Sequence, residues 1–252
     1  MGSNHEMNER IGFDRLVERD WLDHIASRFA ASRDPKAAFY ETRELVALTV
    51  GGGASHHNAT GKTMTVLARV WLKVATELVP LRDRALAVLS DMGPDDRLAV
   101  HWAMSGASFP FFLDAAGIAG RMLAVGDLIT LMPFRTRLSE RWGVRGTMPQ
   151  ASQRLLRTWA RWGVLSEAGE RGEYRLSGVR PVGEVAAAIV AEARVRGAPG
   201  GILDLDDLQR AADLFPFVLP NLRDLLRGSR DLQVVRQGGS GWVVRAVNED
   251  KK

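Results

Sequence analysis

Apolar residues recur at helical spacing along most of the chain, and the interruptions between runs divide it into elements. Leu16, Trp21, Leu22, Ile25 and Phe29 predict an amphipathic helix over residues 15–31, which Asp34-Pro35 interrupts. A second helix over 37–50 ends at Gly51-Gly52-Gly53, a strong stop. A polar loop runs through Gly61. Met64, Leu67, Val70, Trp71, Val74 and Leu78 then predict a helix over 62–79, with Thr60 as its cap and Lys62 and Arg69 exposed. Pro80 breaks that pattern. A short helix over 81–89 follows, then a turn at Asp91, Gly93 and Pro94, then a helix over 95–107 whose first turn carries Asp95 and Asp96, charges that complement its dipole. Phe109-Pro110 bends the chain into the next element.

From residue 113 the pattern changes. It predicts a helix over 113–125, a second helix capped by Thr130 and running to Trp142 with Gly143 as its stop, and a third capped by Thr147, with Pro149 in its first turn and Gly163 beyond its end. Val164-Leu165 and Tyr174-Arg175-Leu176, around a turn at 167–172, read as a short hairpin. This order is the winged form of the helix-turn-helix. A similar order then recurs with little residue identity. It comprises a helix over 182–196, a helix over 205–214 capped by Asp204, a helix from Pro220 to near Gly228, and strands 232–237 and 242–247 flanking Gly238-Gly239-Ser240-Gly241.

The third helix of the first unit carries the sharpest chemical signal. Ala151, Leu155, Trp159 and Trp162 form an apolar stripe, and Gln150, Arg154, Arg157 and Arg161 form an acid-free polar one. Arg reads guanine bidentately or grips phosphate, and Gln reads adenine. Between residues 128 and 162 there are seven arginines and one acid, Glu140, a local charge of +6 against a net +4 for the whole chain. Clustering of this kind is the footprint of a polyanionic partner. The wing is less favourable, since Glu167, Glu170 and Glu173 outnumber Arg171 and Arg175. In the second unit Arg223, Arg227 and Arg230 are mixed with Asp224, the preceding helix carries Asp204, Asp206 and Asp207, and the hairpin carries Arg236 and Arg245. Both a secondary phosphate contact and a protein-docking role stay open for it.

Other features have plainer readings. The hydrophobic fraction of 46% and charged fraction of 25% suit a soluble globular chain with a real core. Cysteine is absent, which excludes disulfides, thiolate metal sites and a cysteine nucleophile and fits a reducing cytoplasm. No apolar run is long enough to span a membrane and no signal region opens the chain. Residues 1–6 read as a cloning scar ahead of Met7. Gly61-Lys62-Thr63 is not a phosphate loop, because the position that needs the first glycine is His56. His56-His57 has no third ligand spaced to join it, so no metal is expected. His101 reads as a buried histidine with a partner. Trp142, Trp159 and Trp162 have core spacing rather than that of a base-stacking surface. No nucleophile–base pair is evident, and no cofactor is called for.

Three segments carry a family resemblance: TRELV at 42–46, KTMTVLARVW at 62–71 and QRLLRTWARWGVL at 153–165. With the layout of helices and wings, they resemble BrxA-type proteins of BREX phage-defence islands. The family tends to have a basic loop before the third N-terminal helix, and residues 55–61 here are much less basic. The resemblance implies a non-enzymatic DNA-binding accessory protein acting beside motor and methyltransferase components.

The expectation is therefore a mainly α protein. A helical N-terminal domain (7–110) precedes a winged helix-turn-helix (111–179), a second winged-helix-like unit (180–247) and a frayed tail (248–252). Its expected partner is double-stranded DNA, with other defence-system proteins as further candidates. Gln150, Gln153, Arg154 and Arg157 would face the major groove, Thr147 would position the helix N-terminus, and Arg137, Arg145 and Arg161 would lie nearer the backbone. A winged-helix transcriptional regulator and a protein–protein adaptor are the alternatives.

Overall fold

A computed structural model describes residues 11–50, 58–238 and 241–247. The scar at 1–6, the triple glycine, His56, His57, the hairpin apex at 239–240 and the tail lie outside the described residues. The chain is mainly helical, with short strands in small sheets. Six helices come first: α1 (Arg19–Ser32), α2 (Pro35–Val50), α3 (Ala59–Trp71), α4 (Val79–Val88), α5 (Pro94–Ser108) and α6 (Pro110–Val125). Prolines in four of them begin a helix where sequence alone suggested a break or bend. Pro35, Pro80, Pro94 and Pro110 all sit in a first turn, where the missing N–H costs no hydrogen bond. The cap of α3 is Asn58, whose side chain accepts from the Gly61 amide at 2.7 Å, and not Thr60, which is buried in the first turn. None of the described helices is long and apolar enough to cross a membrane.

The predicted start of α1 at residue 15 is too early. Residues 11–18 are non-helical and lay Ile11, Phe13 and Val17 into the core.

The first winged unit continues from α6 through β1 (Ile129–Thr130), α7 (Leu131–Trp142), α8 (Met148–Arg161), β2 (Leu165–Glu167) and β3 (Glu173–Leu176). Its antiparallel sheet has the order β1-β3-β2, with Ile129 opposite Tyr174 and Leu165 opposite Leu176. After β4 (Arg180–Pro181) the order repeats as α9 (Glu184–Arg196), β5 (Ile202–Asp204), α10 (Leu205–Gln209), β6 (Phe217–Val218), α11 (Leu222–Leu225), β7 (Leu232–Gln237) and β8 (Gly241–Ala246). The second sheet has the order β5-β8-β7, the same topology as the first. The repeat is shorter than expected, because α10 stops at Gln209 and α11 is a single turn capped by the Asn221 side chain. Asp204 caps α10 as predicted, accepting from the amides of Asp206 and Asp207.

One apolar cluster runs from Ile11 to Phe217, so the N-terminal helices and the first winged unit share a core across residue 110. A smaller cluster (Ala191, Val195, Leu205, Leu208, Leu222, Leu226, Leu232, Val244) fills the second unit. Trp102 of α5 joins the parts. Its ring lies 5.2 Å from Trp159 of α8, 5.0 Å from Phe112 of α6 and 5.4 Å from Phe215, and its Nε1–H donates to the Asp213 carbonyl at 2.9 Å. Ion pairs reinforce the join. Glu192, buried in α9, is bound by Arg84 of α4 and by Arg196, and Arg84 also reaches Asp231 at 3.0 Å. Arg180 bonds Asp95 and the Gly163 carbonyl. The β4 strand pairs in parallel with β6.

Gly120 allows α6 to meet the second unit. A Cβ there would lie 1.9 Å from the Ala212 carbonyl oxygen, a backbone atom that cannot swing aside. Gly120→Ala is expected to lower unfolding free energy by about 1–3 kcal/mol or more through overpacking. Gly146→Ala, which meets nothing within 4 Å, should stay within about 0.5 kcal/mol. Denaturant melts of the two variants measure the difference.

His101 is fully buried in α5. Its Nε2 is 3.1 Å from Asp23 Oδ1, its ring meets Trp71 edge-on, and its Nδ1 has no hydrogen-bond partner among the described residues. Burial pushes its pKa down, and the nearby Arg97 and Arg19 add to this, against the opposing pull of Asp23. The folded state thus resists a proton that the unfolded chain accepts near pH 6.5. Stability is expected to be full above about pH 6.5 and to fall as pH drops below it. His101→Gln, which keeps a donor for Asp23, should flatten that segment of the denaturation-midpoint-versus-pH curve.

Candidate nucleic-acid interface

Helix α8 is amphipathic as its sequence demands. Met148, Ala151, Leu155, Leu156 and Trp159 are buried, and Trp162 just beyond its end is buried with them. Trp142 is also core, and its Nε1–H donates to Asp114 at 3.0 Å. The backbone of Thr147 is helical (φ −87°, ψ −12°) and its hydroxyl caps nothing, which corrects the expected capping role. Thr130 likewise makes no capping hydrogen bond, while Gly143 (φ 77°) and Gly163 (φ 73°) take the left-handed backbone that their stop positions require.

The polar stripe of α8 is divided by its neighbours. Along one flank lies the N-terminal segment. Arg154 Nη1 donates to the Asp14 carbonyl at 3.0 Å, and Thr158 Oγ1 accepts from the Val17 amide at 3.2 Å. Trp162 Nε1 donates to the Val17 carbonyl at 2.9 Å, and Arg161 Nη1 pairs with Glu18 at 2.8 Å. Arg154 is half-buried and committed to the fold; Arg161 is exposed but partly neutralised. Along the other flank, Gln153 and Arg157 line a groove of about 640 Å³ with Leu131, Glu167, Glu170, Arg171 and Tyr174 of the wing side. Burial, then the Glu167 charge, raises the pKa of Tyr174, and Arg157 opposes the shift. Arg157 therefore sits within electrostatic reach of a wing phenol and in a groove shared with wing carboxylates. The stripe itself carries no acid, as expected, but Glu18 pairs with it on one flank and the wing carboxylates Glu167 and Glu170 share the groove on the other.

The remaining predicted residues separate. Gln150 and Thr147 are exposed at the start of α8. Arg145 is half-buried and its Nε donates to the Trp142 carbonyl at 3.0 Å, fastening the α7–α8 turn. Arg137 lines a different groove, between α6 and α7, with Arg121, Met122, Leu128 and Glu140. That groove and the wing groove have no lining residue in common. Arg141, which belongs to the same basic run, pairs with Asp114 at 3.2 Å. Apart from Arg161, paired with Glu18, the exposed polar edge comprises Thr147, Gln150 and Arg157, with Gln153 half-buried beside them. Sequence reading missed Asp14 and Glu18 because they lie outside the helix–turn–helix segment, and missed the pairing of Asp114 with Arg141 because the two are 27 residues apart and no local pattern joins them.

Among the described residues no group of His, Cys, Asp or Glu is arranged to hold a metal ion. Lys62 is exposed in α3, whereas Gly61 and Thr63 are buried. No protein-family model matches the chain, nor does any curated protein or solved structure.

The divided stripe makes a prediction about stability. Arg154→Ala leaves the Asp14 carbonyl without its charged donor and should cost about 1–3 kcal/mol. Gln150→Ala, on an exposed helix position, should change stability by no more than about 0.5 kcal/mol. Thermal melts at fixed pH compare them.

Proposed function

We propose that the chain is a non-enzymatic, cytoplasmic protein that binds double-stranded DNA, with α8 of the first winged unit as its groove-facing helix. The carrying observation is the exposed edge of α8. Gln150, Gln153 and Arg157 follow one another at helical spacing, and their side chains make no hydrogen bond or ion pair with other described residues. Gln and Arg are the side chains best suited to bidentate contacts with adenine and guanine edges. Thr147 and Arg145, just before the helix, would meet nearby phosphate. Arg154 supports the helix from behind instead of touching DNA, and Arg161 contributes little while paired with Glu18. The resemblance to BrxA-type proteins supports an accessory role in a phage-defence system, beside partners that supply the catalysis.

One observation favours a second reading, that of a protein adaptor. Glu167 and Glu170 line the groove that Arg157 enters, which would repel phosphate and suit a mixed-charge protein surface.

A mobility-shift titration of duplex DNA at two salt concentrations separates the readings. The wild-type chain should shift the duplex, and more weakly at the higher salt. Gln150→Ala with Arg157→Ala should weaken binding tenfold or more, since each bidentate contact is worth about 1–3 kcal/mol. Arg161→Ala should change it little. No shift by the wild-type chain at low salt would favour the adaptor. A double variant that binds like wild type would remove α8 from the groove.

A further inference from the structure

The second winged unit has the topology of the first but the opposite charge on its wing. The stretch 232–246 contains Arg236 and Arg245 and no acid. Paired residues of an antiparallel ladder share a face, so the register separates these two arginines. Arg245 lies opposite Gln233 and its guanidinium bonds that side chain at 2.6 Å. Arg236 lies opposite Trp242, and Val234 opposite Val244 belongs to the same face, the one turned to the small core. Over that face, Arg223 of α11 stacks on Trp242 with its guanidinium carbon 4.4 Å from the ring centroid. A cleft of about 280 Å³ runs between α11 and the hairpin, lined by Arg223, Arg227, Ser229, Gln233 and Trp242. Asp224, in α11 itself, is 66% exposed and pairs with Arg227 at 3.6 Å, a solvent-screened contact of small worth. Asp231 is turned to Arg84 of α4.

From this arrangement we infer that the cleft between α11 and the β7–β8 wing is a second DNA contact, one that grips the phosphodiester backbone and reads no bases. The inference rests on the duplex-DNA reading given above. Arg223, Arg227 and Arg236 supply the charge around a Trp242 platform that holds Arg223 in place. Base reading is excluded by length, because α11 is one turn of four residues and cannot lay a row of side chains along a groove. A winged unit without a groove helix retains only its backbone-contacting wing, and phosphate contacts position a protein on DNA without specifying sequence. The two units then divide the work: the first has a long helix and an acidic wing, the second a vestigial helix and a basic wing.

The test is the triple variant Arg223→Gln, Arg227→Gln, Arg236→Gln in the full chain, with Arg245→Gln on the opposite sheet face as control. Duplex DNA affinity is titrated over a range of salt. The triple variant should bind more weakly at low salt, with the slope of log affinity against log salt shallower by about 2–3, roughly 0.9 for each lost phosphate contact. Its base preference should match wild type, and Arg245→Gln, which touches the cleft through its bond to Gln233, should change the slope by far less than the triple variant. An unchanged slope and affinity in the triple variant, while Gln150→Ala with Arg157→Ala still weakens binding, overturns this inference and leaves the α8 reading intact. The reverse pattern overturns the α8 reading and leaves this one. A wild-type chain that binds no duplex DNA overturns both.

Discussion

The structure depends on Trp102. Its ring touches aromatic side chains from the N-terminal helices, from α8 and from the 213–217 segment of the second unit, and its indole N–H is spent on a backbone carbonyl of that segment. A side chain of this size in a close-packed interior is worth about 3–5 kcal/mol against truncation. Here that energy is distributed over three parts of the chain at once. The helical half, the first winged unit and the start of the second therefore cannot rearrange independently around it. Gly120, with the Ala212 carbonyl against it, and the buried Glu192, held by Arg84 and Arg196, lock the same junction from either side.

This constraint shapes the candidate interface. In an isolated winged helix the third helix has one buried face and a wide free one. Here α8 also serves as the bed for the N-terminal segment, because Phe13 and Val17 need the same core that Trp159 and Trp162 occupy. Seating that segment brings Asp14 and Glu18 alongside the helix and draws Arg154 and Arg161 to them. A charged stripe that seemed wholly available is thereby half consumed by folding. What remains exposed is narrow: Thr147 and Gln150 lie one turn apart at the start of the helix, and Arg157 lies two turns further on.

Much of this was legible in the sequence, and the failures share a cause. The helical periods, the two helix–helix–hairpin orders, the left-handed stop at Gly143 and the Asp204 cap all follow from local patterns, and the structure contains them. Two-residue strands such as β1 and β4 have no period to detect; they exist only because a partner strand lies beside them. Prolines read as breaks turned out to begin helices, since a local reading cannot tell the end of one helix from the first turn of the next. The ion pairs that redistribute the basic run, Arg161 with Glu18 and Arg141 with Asp114, join residues far apart in sequence. Counting charge within a window has no access to them. The stripe's composition was thus readable, while its availability was a property of the tertiary fold.

The difference between the two winged units follows from their cores. Helix α8 must span from Met148, buried beneath the α7–α8 turn, to Trp159 and Trp162 at the Trp102 junction, and that distance sets its length at fourteen residues. Helix α11 has Leu222, the partly buried Leu225 and, just beyond it, Leu226 to place against the small core, which one turn accomplishes. A helix long enough to carry a row of groove-facing side chains is therefore a by-product of the large core, and its absence a by-product of the small one. The hairpins respond to the same division. The first wing lies beside a helix that already bears arginines, so carboxylates there offset its charge. The second wing flanks a helix too short to hold a cationic row, and its cleft takes Arg223 from α11 and Arg227 from the turn that follows, with Arg236 of β7 on the strand face of Trp242. Topology alone would make the two units equivalent, whereas packing gives them different surfaces and hence different chemical capacities.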